Sequence, residues 1–394
     1  VSLLSLIERG QRTASPEMLE ALHSRLSIET EHIAQQNESV ELIQGCLTLD
    51  NDSVENSKLW LPRIKSENES LLLRGLIAEA EGDLQLAVAL LEQVVRNDNQ
   101  SIDSLNRAAL ALVRVERERG DFYSSVFWGE QHLNRLRLQP FDTTSLQWEA
   151  KATLSSVYLE LGDFAKAAEL VKSRPEAVET TWDAVVHLWA AGQVTYHQGN
   201  YSQATDQIRG AAQLISTLNR KMSQARLIYT SVHMALSAGE QTTQSEFQTL
   251  DDVLDLFTSE GYDSDIARTL HVKARAFATL GNKDLAIGCI EQSIERCISI
   301  GGLTKADILS ENAQVLHDCH EPERALEVLE QAANAMAKLP KSRVSAKIWA
   351  QMAEVYEDLG QIGKALECYR NSSEAAGLSL KREAARASAA KASA

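Results

Sequence analysis

Residues 2–10 read as a short helix, with Leu4 and Ile7 at its inward positions and Gly10 closing it. Residues 11–15 form a polar loop. Pro16 then opens a second helix running to residue 26, on which Leu19, Leu22 and Leu26 share one face. Beyond residue 68 the pattern repeats on a longer scale. A glycine closes a first helix at Gly82, Gly120, Gly162, Gly199, Gly239, Gly281 and Gly360, and His320 stands in the same slot. The spacings are 38, 42, 37, 40, 42, 39 and 40 residues.

Small residues flank each of these turns. Five positions after it stand Ala87, Ser125, Ala167, Ala204, Ala286, Ala325 and Ala365, with Gln244 breaking the rule. Seven positions before it stand Gly75, Ser155, Gly192, Ala274, Ala313 and Ala353, with Val113 and Val232 the larger exceptions. Two antiparallel helices can approach closely only where their side chains are small, and the turn between them needs a residue that tolerates positive φ. A lone pair cannot bury its apolar face, so neighbouring pairs must stack.

This grammar resembles the tetratricopeptide repeat from residue 68 to 378. Residues 349–376 (W-x-x-M-A-x-x-Y…L-G…K-A-L-x-x-Y) and 154–171 (Y-L-E-L-G-D-F-A-K-A-A) carry it best. The period exceeds that repeat's usual ~34 residues, which implies longer helices or turns, and HEAT or armadillo repeats are the rivals on period alone. The expected fold is all-α: a right-handed superhelix of about eight helical hairpins, preceded by a partial helix-turn-helix. Residues 31–67 would be a connecting helical pair, 68–378 the sensor or interaction domain, and 379–394 a low-complexity tail.

The front of the chain has its own likeness. The run S-x-x-L-S-x-I-E-x-G, a polar loop and S-P-E-x-L-x-x-L resemble the second half of an Xre-type helix-turn-helix, placed at residues 1–30. The resemblance implies that residues 3–9 are a recognition helix for double-stranded DNA. Val1, Ser2 and Leu6 would face the groove, and Arg9, Gln11, Arg12, Thr13 and Ser15 would hold backbone phosphates. It also implies roughly 30–40 residues ahead of Val1 to complete the head.

The formal net charge of −16 over 394 residues restricts any nucleic-acid contact to that small head. Six prolines and abundant Ala and Leu suit an all-helical chain. No run reaches the length of a membrane span and no secretory leader is visible, so a cytoplasmic protein without membrane contact is expected. Cys46, Cys289, Cys297, Cys319 and Cys368 show no CxxC pairing and read as reduced structural thiols. His317-Asp318-Cys319-His320 lacks a second cluster to complete a metal site. There is no Walker loop, GxGxxG, GxSxG or HExxH, so no enzyme, metal or cofactor is expected.

The candidate chemistry lies on the concave face. Counting the turn glycine as position 15, positions 2, 5, 9 and 12 of each first helix point inward in this repeat. They place Arg107, Arg114 and Arg117, then Trp189, Gln193 and Tyr196, then Arg226, Tyr229 and His233, then Arg268, His271 and Arg275 on one surface. The last unit offers Lys347, Glu354 and Glu357. A peptide or acidic small-molecule ligand would pair with Arg107, Arg114, Arg117 and Arg275 and lay apolar parts on Trp189, Tyr196 and Tyr229. Gln193, His233 and His271 would hydrogen-bond it, with an affinity that changes between about pH 6 and 7. The bland alternative is a solvated face neutralised by neighbouring Glu.

Together the two resemblances match the architecture of the RRNPP regulators, bacterial quorum-sensing receptors in which a peptide bound in the repeat groove alters DNA binding. The family's asparagine-rich peptide contacts are not plainly present. The implied function is a ligand-controlled, homodimeric transcription regulator; the alternative is a protein–protein scaffold without a sensory ligand.

Overall fold

The computed structural model describes residues 38–51, 54–97, 100–172, 180–218 and 220–378. The expected helix-turn-helix, with Val1, Ser2, Leu6, Arg9, Gln11, Arg12, Thr13 and Ser15, lies outside them, as does the tail. Among the described residues the secondary structure is entirely helical.

A leading pair, α1 (Val40–Asn51) and α2 (Val54–Lys58), is followed by a 3-10 turn at Leu61–Arg63. Eight hairpins come next: α3 (Glu67–Glu81) with α4 (Leu84–Val95), α5 (Ile102–Glu118) with α6 (Phe122–Arg137), α7 (Thr144–Glu160) with α8 (Phe164–Lys172), and α9 (Thr181–His197) with α10 (Tyr201–Ile215). The array continues as α11 (Lys221–Ser237) with α12 (Gln244–Glu260), α13 (Asp263–Thr279) with α14 (Lys283–Arg296), α15 (Gly302–Asp318) with α16 (Pro322–Met336), and α17 (Arg343–Asp358) with α18 (Ile362–Ala375).

One local device makes every hairpin. At the first turn Gly82 sits at φ 77°, its N–H meets the Glu79 carbonyl at 3.1 Å, and the Asp83 N–H reaches back to the Ala78 carbonyl at 2.9 Å. That crossed pair satisfies carbonyls the helix end would otherwise orphan, and it requires a left-handed residue. The same crossed pair closes all eight first helices, and His320 meets the requirement at φ 63°. Where aspartate follows the glycine it also starts the next helix: the carboxylates of Asp83, Asp121 and Asp163 accept from the N–H groups of Leu86, Ser124 and Lys166. Gly-Asp thus stops one helix and caps the next.

The small positions lie where the helices cross. Ala87, Ser125, Ala167, Ala204, Ala286 and Ala325 are wholly buried. A methyl added at Gly192 would stand 2.7 Å from Ile208 Cδ1. Ser125 Oγ donates to the Val113 carbonyl at 2.7 Å, joining the two small slots of one hairpin. Gln244 breaks the rule because the loop after Gly239 is longer and α12 only begins there; the fourth residue of that helix is Phe247, which stacks on Phe277 at 4.6 Å. Accordingly α11 and α12 meet less extensively than the partners of any other hairpin.

The array returns on itself. The Tyr262 hydroxyl donates to the Leu49 carbonyl at 2.8 Å, and Arg220 reaches Asp50 at 3.4 Å. Glu118, ending α5, accepts from the Thr304 N–H at 2.8 Å and from its hydroxyl at 2.7 Å. It caps the first turn of α15, where a carboxylate is favoured by the unsatisfied N–H groups. Burial raises the Glu118 pKa, against those two hydrogen bonds. Consistent with this closure, one apolar core runs continuously from Leu42 and Leu72 through Leu112 to Leu309, Met352 and Cys368.

Candidate functional site

Inside the returned array lies a cavity of about 1620 Å³, lined by all eight first helices together with α1. Arg107, Arg114, Arg117, Trp189, Gln193, Tyr196, Tyr229, His233, His271 and Arg275 all line it, as do Arg226, Arg268, Lys347 and Glu354. The inward positions therefore converge on one space.

Their charges are another matter. Arg107 pairs with Glu38 at 3.1 Å, and Arg114 holds both oxygens of Glu79 at 2.7 and 2.9 Å. Arg117 donates to Ser156 Oγ at 2.8 Å and faces Glu160 at 3.6 Å. Arg226 grips Asp265 through Nε and Nη2, the shortest contact being 2.8 Å, and Arg268 faces Asp307 at 3.5 Å. Most of these pairs bridge the first helices of successive hairpins, so they fix the pitch of the array. Carboxylates outnumber Lys and Arg on the lining. Arg107, Arg114 and Arg117, expected to pair with the negative charge of a ligand, each pair here with a carboxylate of the chain itself.

Arg275 differs. Its Nη1 lies 3.0 Å from His233 Nδ1 and its Nη2 lies 3.5 Å from Ser237 Oγ. A guanidinium has no acceptor, so His233 Nδ1 carries the lone pair and Nε2 carries the proton. That Nε2 faces the Tyr196 hydroxyl at 3.4 Å, Tyr196 meets Ser237 Oγ at 3.1 Å, and Ser237 donates to the His233 carbonyl. A closed polar ring thereby links α9, α11 and α13. It spans the place where α9 and α11 meet only weakly, because α11 packs chiefly on α10.

Both cavity histidines, His271 buried and His233 half-buried, are shifted toward the neutral form. His271 Nδ1 donates to Asn312 Oδ1 at 2.9 Å, a direction fixed because the Asn312 amide donates to Ser293 Oγ. Burial pulls the His271 pKa down to about 4 and holds that of His233 well below its usual value, the latter with help from Arg275. Both shifts run downward, away from the pH 6 to 7 range expected from the sequence, although the Glu311 carboxylate stands 3.4 Å from His271 Nε2. NMR of the imidazole carbons and nitrogens should show both rings flat from about pH 8 to 5.5. A His271 midpoint near 6.5 would contradict its burial.

Sequence reasoning missed Ser237, one position past the inward slot, and the Glu149 carboxylate that accepts from Trp182 Nε1 at 2.6 Å and from Asn106 Nδ2 at 2.8 Å. Trp182 is further covered by Arg220, whose guanidinium carbon lies 3.9 Å from the ring centroid. All five cysteines are free, and burial raises the Cys46 pKa to about 12, which keeps it an unreactive thiol. Among the described residues no cluster of His, Cys, Asp or Glu could hold a metal ion, and no helix is long and apolar enough to cross a membrane.

The chain has the architecture of known helical-repeat proteins. It is similar to a Rap protein complexed with Competence and Sporulation Factor, with 10% identity and a TM-score of 0.53, over 88% of this chain and 98% of that one. It also resembles a signal-transduction ATPase with a tetratricopeptide repeat sensor from Pyrococcus horikoshii, at 13% identity and a TM-score of 0.46, over 83% of this chain and 52% of that one. The chain thus spans about half the length of that protein. The apo quorum sensor NprR from B. thuringiensis aligns over 95% of both chains at 13% identity and a TM-score of 0.44. A family model for the soluble NSF attachment protein, SNAP, matches residues 257–392. No curated protein matches the sequence. The body is a tetratricopeptide-like repeat array.

Proposed function

We propose that this chain is a peptide-responsive DNA-binding regulator, with the repeat cavity as its ligand site and residues 1–30 as part of its DNA reader. The observation that carries the reading is the convergence of ten residues, chosen from inward positions on four hairpins, upon one cavity. The mixed charge of that lining favours a peptide over a small polyanion, because a peptide offers donors and cations to the carboxylates as well as acceptors to Arg275. The Rap structure, which is complexed with Competence and Sporulation Factor, supports the same use of the fold. The Xre-type run at residues 1–30 supports the DNA reader, and a homodimer would match two half-sites.

A ligand can switch such a protein only by binding one curvature of the array better than another. The contacts of Glu118 with Thr304 and of Tyr262 with Leu49 hold the described curvature. A ligand bridging α9, α11 and α13 would add to them and change the separation of two heads in a dimer. The scaffold reading uses the same cavity for a partner's tail without any effect on DNA.

The test is fluorescence anisotropy on the full-length protein at several salt concentrations. Arg12→Ala should weaken binding to every duplex and lower the salt slope by about one, as loss of one phosphate contact requires. Changing Ser2 should alter the preferred sequence instead. If duplex DNA is not bound at all, the regulator reading falls and the scaffold reading replaces it.

A further inference from the structure

Six of the seven arginines on the cavity lining are paired with the chain's own carboxylates. Arg275 is the seventh. Among the described residues its partners are an imidazole nitrogen and a hydroxyl, neither of which carries negative charge. Both ring nitrogens of His233 are engaged, and Ser237 is engaged by Tyr196 and a carbonyl, so this ring has no spare acceptor for the remaining guanidinium protons. Lys347, on α17, also lines the cavity; it makes no ion pair among the described residues, though its charge acts on the Asp307 carboxylate.

A chain with an excess of acidic residues thus keeps one half-buried guanidinium fork uncompensated and pre-oriented. On α9, Trp189 and Gln193 precede Tyr196 at helical spacing on the same cavity-facing side. They continue the surface from the cation to an amide and then to a broad apolar ring.

We propose that Arg275, backed by Lys347, is the docking point for a carboxylate of a peptide ligand, and that the Trp189–Gln193–Tyr196 face of α9 receives the neighbouring side chains. The proposal rests on the reading of the cavity as a peptide site and deepens it. A planar fork recognises a carboxylate through two parallel N–H donors, which a lysine in the same place cannot reproduce. Burial first, and then Arg275, hold the His233 pKa well below its usual value, so the ring offers Arg275 a neutral Nδ1 lone pair and no negative charge to offset the guanidinium.

The experiment presents the purified full chain with two synthetic heptapeptide pools. One has free C-terminal carboxylates; the other is amidated and lacks Asp and Glu, so it carries no carboxylate. Retained peptides are counted by mass spectrometry. The free-acid pool should be retained at least about tenfold better. Arg275→Gln should abolish that difference, Arg275→Lys should restore only part of it, and Lys364→Gln, on an outer ion pair with Glu330, should leave it intact. Circular dichroism melting of each variant separates loss of docking from loss of fold, and Lys347→Gln gives a second route if Arg275→Gln does not fold. Equal retention of both pools, or a preference that survives Arg275→Gln, overturns the docking point while leaving a peptide site standing. Retention of neither pool overturns the peptide reading itself.

Discussion

Gly302→Val should unhook the front of the array from its rear. Gly302 opens α15 at φ 65°, and a Cβ built there would lie 2.6 Å from the backbone carbonyl oxygen of Glu118. The obstacle is backbone, so no rotamer change relieves it. A β-branched residue in the left-handed region adds its own strain of about 1–2 kcal/mol, and the overpacking adds about 1–3 kcal/mol. The combined loss is about 2–5 kcal/mol, concentrated at the contact of α5 with α15. Chemical denaturation should report it, and small-angle scattering should report a larger radius of gyration. Gly301→Ala is the control, because a Cβ there meets nothing within 4 Å and φ is −117°. If the valine variant matches the alanine control in both measurements, the closure does not hold in solution.

Arg226→Ala should be the most damaging single loss of charge on the lining. The Asp265 side chain is 8% exposed and accepts three bonds from Arg226, with Tyr229 adding one at 3.2 Å. Without the guanidinium, a buried carboxylate keeps one neutral donor. Breaking a fully buried pair costs about 3–5 kcal/mol; Arg226 is itself about a third exposed, which reduces the expectation to about 2–3 kcal/mol. The double change Arg226→Met with Asp265→Leu should recover much of that, since it removes both charges. Urea titrations of the single and double variants decide the matter, and a single variant within about 0.5 kcal/mol of the parent would mean that solvent already screens the pair.

The hairpins were legible because each is specified by residues close in sequence. A left-handed slot, an aspartate after it and small residues five after and seven before are local requirements, strict enough that His320 could be assigned to a glycine's place. The loop after Gly239 escaped the pattern because its length, not its composition, displaced α12. Inward-facing positions were legible for the same local reason. The partners of Arg114 and Arg226 were not, because Glu79 and Asp265 stand one repeat away and their approach depends on the pitch between hairpins. Still less legible was the meeting of Glu118 with Thr304, which sums the small rotations of every intervening hairpin. The downward shift of His271 and His233 was not legible either, because a reference pKa says nothing of burial.

The return of the array also changes how the molecule comes apart. A linear stack of repeats interacts only with nearest neighbours, so it can fray hairpin by hairpin from either end. Here the first hairpins share a core with the last, and the links between Leu49 and Tyr262 and between Glu118 and Thr304 span much of the chain. Losing an end hairpin therefore strips cover from the other end as well, so fraying gives way to a more concerted unfolding transition. The same long-range contacts raise the contact order. Individual hairpins can form early, while joining the two ends must await nearly complete synthesis of the repeats and sets the pace of the last step in folding.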